Sequence, residues 1–185
     1  MKTSSLFDLD TYSVPFRHYS DRPKDQKIDT IILYSCDSPS PRTTYGETSI
    51  CATACVRWMN FTALAPHYLI DQGGILYQLV DTKKKANHCI GRQMPDGRGD
   101  IDDFSIGLGL AASNTSSYHK LQLERLVKVV KMIQSLHPVK EIIMHKNLQE
   151  IDNSNSSLES PNPHLLSGPW GFPWHDFEKR IVRLT

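Results

Sequence analysis

The sequence predicts an α/β fold: a mixed central sheet flanked by helices, in one domain over residues 1–185. Three observations predict it. Residues 30–36 (TIILYSC) form a short apolar, β-branched run of the kind that makes a buried strand. Residues 67–70 and 75–80 are two more apolar runs, joined through Gln72-Gly73-Gly74, which is a hairpin signal. In residues 118–136, Leu123, Leu126, Val127, Val130, Ile133 and Leu136 recur at helical spacing and mark one face.

The elements follow in order. Residues 1–27 read as an irregular lead-in, with Pro15, Pro23 and many charges. After the first strand, residues 38–46 form a loop carrying Pro39 and Pro41. Ile50, Ala54, Trp58 and Phe61 place an amphipathic helix over 47–61. The hairpin comes next, with Lys83, Lys84 and Lys85 as a solvated edge. Residues 91–103 are a loop rich in Gly and Asp. Residues 104–110 make a strand thinned by Gly107 and Gly109, so either the backbone approaches something closely there or side chains are excluded. Ser116 or Ser117 caps the long helix and Pro138 ends it. Residues 141–145 form a further strand, 147–168 a long polar loop, and a last helix begins near His175.

Composition narrows the function. Lys plus Arg number 21 and Asp plus Glu 20, a net charge of +1 that gives no electrostatic case for nucleic acid or an anionic membrane. No run of 18 apolar residues exists. Asp8 and Asp10 interrupt the place where a secretory signal needs an apolar core, so a cytoplasmic location is expected. Cys36, Cys51, Cys55 and Cys89 show neither a CxxC pair nor a disulfide pattern and are expected reduced. With eight His, they are raw material for a metal site.

The segments SVPFRHYSDRP, IDTIILYSCDSPSP, APHYLIDQGGILYQLVDTKKKANHCIG, DGRGDIDDFSIGLGLAASNTSSYHKLQLERLVKVVKMI, EIIMHKNL and SGPWGFPWHDF occur in an order and spacing that resembles the zinc N-acetylmuramoyl-L-alanine amidases, over residues 13–182. The likeness is to the cytoplasmic branch that trims 1,6-anhydro-muropeptides in cell-wall recycling. It implies a peptidoglycan-recognition-protein-like fold and, in that family, hydrolysis of the amide between the muramoyl lactyl group and L-Ala. There a zinc with three protein ligands keeps a fourth position for water.

Carried over by that resemblance, the family's first ligand, a His, falls on Tyr34, its second, also a His, on His145, and its third, an Asp, on Leu166, or on Ser167 with a slip of one. The family glutamate falls on Gly109 and the helper lysine on His164. Only His145 is retained as a ligand. No catalytic residue and no cofactor are then expected, and the reading is a degenerate, zinc-free member that binds muropeptide or peptidoglycan fragments or acts as a regulator. One alternative is an active amidase with a relocated zinc on Cys36, His145 and His164; Cys36 shares a strand face with Tyr34. Cys36 as a thiol nucleophile with His145 as base is a variant of it. Another is an interaction scaffold with a protein partner and no glycan affinity. His67, Tyr68, His88, Arg98 and Asp102 match the family's substrate groove, an Arg fork suiting a peptide carboxylate. The ordinary alternative is that His67 and His88 are satisfied core histidines and Arg98 a surface charge.

Overall fold

The computed structural model describes residues 9–39, 48–49, 51–112, 117–151, 166–167, 169 and 171–182. Its first half contains β1 (Thr11–Ser13), β2 (Tyr19–Asp21), β3 (Thr30–Cys36), β4 (Ser38–Pro39), β5 (Thr48–Ser49) and α1 (Ala52–Thr62), then β6 (Tyr68–Ile70), β7 (Leu76–Gln78), β8 (Lys84–Ala86) and β9 (Arg92–Gln93). Its second half contains α2 (Ile101–Phe104), β10 (Ser105–Ala111), α3 (Lys120–Leu136), β11 (Glu141–Met144), β12 (Gln149–Glu150), β13 (Leu166–Ser167) and α4 (Trp174–Val182).

The main sheet has the order β1-β7-β6-β10-β3-β11, with β13 also on β3. The β10–β3, β11–β3, β10–β6 and β1–β7 pairs are parallel; β6–β7 and β13–β3 are antiparallel. The sheet is mixed, as its sequence predicts. Every residue of β3 and β10 is buried, which explains their near-continuous apolar runs: helices cover both faces. Strand alternation divides the core. Ile31, Leu33, Ile106, Leu108 and Leu110 pack with Leu126, Val130 and Ile133 of α3. Ile32, Tyr34 and Cys36 pack with Cys55 and Met59 of α1.

Several boundaries differ from expectation. Parts of the lead-in are strands: β1 joins the main sheet and β2 pairs with β8. Both are exposed throughout, so no apolar alternation announces them. β8 is thereby a paired strand, with Lys84 ion-paired to Asp21 and Lys85 to Asp103 at 2.6 Å. Helix α1 starts at Ala52 because Thr48 and Ser49 pair with Pro39 and Ser38. The N-cap of α3 is His119, without a side-chain cap bond, so Ser117 does not cap it; Ser116 lies outside the described residues. The loop over 91–103 contains β9 and the single turn α2. Most of the polar stretch 147–168 lies outside the described residues, but β13 returns to the sheet beside Ser35 and Cys36.

Gly74 shows why the hairpin needs glycine. Its φ is +78°, and a Cβ there would lie 2.7 Å from the Leu121 backbone oxygen. Gly74→Ala is expected to cost about 2–3 kcal/mol, from a strained backbone and a clash with an immovable atom. Gly97→Ala, at φ +88° but with nothing within 4 Å, should cost less. Urea midpoints of the two variants measure the difference.

Candidate functional site

The positions of interest lie on the α1 side of β3. Tyr34 is fully buried there, its ring tilted against His88 at 5.9 Å and edge-on to His145 at 5.8 Å. Two glycines of the neighbouring strand make this possible. A Cβ at Gly107 would overlap Tyr34 Oη, and a Cβ at Gly109 would lie 2.5 Å from Cys36 Sγ. The structure thus resolves the meaning of Gly107 and Gly109: both mark close approach by side chains of β3. Burial raises the Tyr34 phenol and the Cys36 thiol well above their ordinary pKa values. The Tyr34 hydroxyl has no hydrogen-bond partner among the described residues. His145 begins a 3-10 turn directly after β11, and burial pulls its pKa down to about 4.

Beside Tyr34 lies a buried polar network. His67 receives the Gly107 N–H at Nδ1 (3.0 Å), so Nε2 carries the ring proton and donates it to the Lys84 carbonyl (3.1 Å). Arg22 Nη2 sits 2.9 Å from that nitrogen. Burial, then the Arg22 charge, pull the His67 pKa down to about 3. Arg22 itself binds the carbonyls of Thr82, Asp102, Asp103 and Ser105. Ser105 Oγ donates to the Ile101 carbonyl (2.7 Å), leaving its oxygen to accept His88 Nε2–H at 3.3 Å. His88 Nδ1 then presents a lone pair to Cys89 Sγ, 3.1 Å away. Asp102 Oδ1 accepts the amides of His88 (3.2 Å) and Cys89 (2.9 Å). Burial pushes the Asp102 carboxyl up to about 7, against the lowering effect of those amides.

This placement differs from a ligand-contacting set. His67, Tyr68 and His88 are buried, and both ring nitrogens of each histidine face groups of the protein itself. Arg98 spends its fork internally: Nε on Asp96 (2.8 Å), Nη1 on Asp29 (3.2 Å) and Nη2 on Glu141 (2.5 Å), with its guanidinium over the Phe104 ring. Asp102 and His88 lie together, through the His88 amide and a 3.4 Å approach of His88 Nε2 to Asp102 Oδ1. Asn87 Nδ2 donates to the Ala63 carbonyl that ends α1 (2.9 Å). Open space near these residues is a cleft of about 230 Å³ lined by His18, Tyr19, Ser20, Lys85 and Asn87. Sequence reasoning assigned no role to Arg22, His18 or Tyr19, although all three stand in the RHYSDRP segment.

The donors at the resemblance-assigned ligand positions do not form a His-His-Asp set. Tyr34 is a buried neutral phenol packed on Gly107, and Leu166, whose backbone pairs with Cys36, has no donor side chain. That leaves His145; His164 lies outside the described residues.

A profile of the N-acetylmuramoyl-L-alanine amidase family matches residues 24–163, well over half of the chain. The chain belongs to this family. It is 29% identical to the 1,6-anhydro-N-acetylmuramyl-L-alanine amidase AmpD of Enterobacter cloacae over 140 residues, 70% of this chain and 73% of that protein. It is 28% identical to AmpD of Escherichia coli over 135 residues, 68% and 72% of the two chains. A crystal structure of a selenomethionine AmpD derivative superposes with a TM-score of 0.67 at 23% identity, covering 94% of this chain and 99% of that one. The peptidoglycan recognition protein PGRP-Hd of Alvinella pompejana gives 0.52 at 15% identity, over 74% and 86%. These two structures share the fold. No helix among the described residues is long and apolar enough to cross a membrane.

Proposed function

We propose that this amidase-family chain binds muropeptide or peptidoglycan fragments without hydrolysing them, as a cytoplasmic regulator or scavenging partner of cell-wall recycling. The observation that carries the reading is the interlocked pair of β3 and β10. The Tyr34 ring stands over Gly107 and the Cys36 thiol over Gly109. The position given to the family's first histidine is therefore filled by a phenol, and the one given to its glutamate is closed by sulfur. The family membership supplies the ligand class, and the cleft at His18, Tyr19, Lys85 and Asn87 supplies accessible polar groups for it.

Calorimetric titration with 1,6-anhydro-muropeptide, run beside a chromatographic assay of the muramoyl–L-Ala bond with added zinc, tests this. Saturable binding with intact ligand is expected. Turnover of the amide, or no binding heat, overturns it. One observation favours a second reading, the relocated site: β13 sets Leu166 opposite Cys36, which brings the chain two residues after His164 to that thiol. Turnover abolished by both Cys36→Ser and His164→Ala is the result that reading requires.

A further inference from the structure

We propose that His88, Cys89 and Asp102 form a closed site for a zinc-class divalent cation, distinct from the positions on which the non-hydrolytic reading rests. Their ligand atoms all lie within 4.8 Å of one another. Cys89 Sγ is 3.1 Å from His88 Nδ1 and also hydrogen-bonds the Asp102 carboxylate, while His88 Nε2 is 3.4 Å from Asp102 Oδ1.

A proton count singles this cluster out. Ser105 gives its hydroxyl proton to Ile101, so His88 is protonated at Nε2 and offers a bare lone pair at Nδ1. The Cys89 thiol has one proton and faces two acceptors, that lone pair and Asp102. Asp102 Oδ1 already accepts two backbone amides, so a thiol proton given to it leaves the buried imidazole lone pair without a donor, which is costly. A divalent cation meets all three groups at once. It displaces the thiol proton to solvent, forms a bond to the resulting thiolate, takes the imidazole lone pair and accepts the carboxylate. Thiolate, carboxylate and cation then sum to zero charge, so the buried cluster is neutral. Thiolate and imidazole together select zinc over magnesium or calcium.

A second observation points to the same place. The Tyr34 hydroxyl, fully buried and without a hydrogen-bond partner among the described residues, flanks the imidazole: a Cβ on Gly107 would overlap Tyr34 Oη and lie 3.2 Å from His88 Cγ. A fourth donor atom, the phenol oxygen, therefore stands beside the cluster. The backbone is set for the task as well, since the amides of residues 88 and 89 fix the Asp102 carboxylate in place. With Cys89 and His88 buried, such an ion is structural and has no open water position.

Titrating the chelator-treated full chain with Co²⁺ tests the site. One equivalent should bind with a near-ultraviolet thiolate-to-cobalt band, release at least one proton and be displaced by Zn²⁺. Cys89→Ser should lose the band, whereas Cys36→Ser and His145→Ala should keep it. Melting of metal-free Cys89→Ser at the metal-free wild-type temperature shows that the variant folds. Absence of the band in the wild type, or its survival in Cys89→Ser, overturns the proposal. A band lost in Cys36→Ser and His145→Ala but kept in Cys89→Ser also overturns it, and places the ion at the relocated site of the alternative above. The non-hydrolytic reading stands or falls separately, on amide turnover.

Discussion

Gly109→Glu is expected to unfold the domain rather than restore a catalytic carboxylate. Gly109 lies in the fully buried β10, in register with Tyr34 of β3. A Cβ there would meet Cys36 Sγ at 2.5 Å, Pro66 Cγ at 3.1 Å and Leu69 Cδ1 at 3.4 Å. Overpacking of this kind costs about 1–3 kcal/mol, and an unpaired carboxylate in the same place adds several more. Against a total stability of about 5–15 kcal/mol, the sum removes most or all of the fold. Gly109→Ala isolates the steric part: a loss of about 1–3 kcal/mol, of which Cys36→Ala in the same chain should return about 1 kcal/mol or more as a coupling energy. Urea unfolding of the four members of that cycle supplies the measurement. A Gly109→Glu protein with the wild-type midpoint would mean that β3 and β10 part readily, and the interlocking argument fails. If the expectation holds, a hydrolytic site of the family's kind requires changes at Tyr34, Cys36 and Gly109 together, because each occupies space that the others leave.

What the sequence discloses here follows from periodicity. β3, β10, the β6–β7 hairpin and α3 announce themselves because burial imposes a pattern on consecutive residues. β1 and β2 are exposed throughout, held by backbone pairing and surface contacts such as Tyr12–Tyr77 and Asp21–Lys84, and leave no apolar pattern. The same limit applies to the site. Residue type shows that His67, His88 and Arg98 are capable of binding a ligand, but not that the domain itself uses their polar atoms. Arg22 illustrates the point: its acceptors lie 60 to 83 residues away in the chain, so no local motif marks it. The two glycines of β10 were legible as a close approach or an exclusion. Only the register with β3 identifies Tyr34 and Cys36 as the groups that come close. Adjacent His88 and Cys89 carry no metal-binding spacing in sequence; their partner Asp102 arrives through the turn that leads into β10.

Lowering the pH from 6.5 to 5 should cost the fold about 3 kcal/mol. His67 and His145 have folded pKa values of about 3 and about 4. In the unfolded chain both return to about 6.5. For a group depressed on folding, the stabilising contribution is complete above the unfolded value and is lost as pH falls toward the folded one. Between pH 6.5 and 5 the unfolded chain gains up to two protons that the native state refuses, a slope approaching about 2.7 kcal/mol per unit. The cause at His67 is specific: a second ring proton would evict the Gly107 amide from Nδ1 and set an imidazolium against Arg22. His88 is depressed likewise, but Asp102, raised to about 7, has the opposite sign. Its native form holds a proton in this window that the unfolded form lacks, so the two cancel, and an ion bound between them removes both from the count. The net acid sensitivity is therefore carried chiefly by His67 and His145, and His137, lowered by partial burial and by Arg22, adds to it with the same sign. His145→Leu should halve the slope, from two excess protons to about one. Because the penalty comes from burial rather than from surface charge, added salt should leave it nearly unchanged. Urea midpoints at pH 7, 6 and 5, with chelator present, read the slope directly. A flat profile would mean that one of these imidazoles opens to water in the native state.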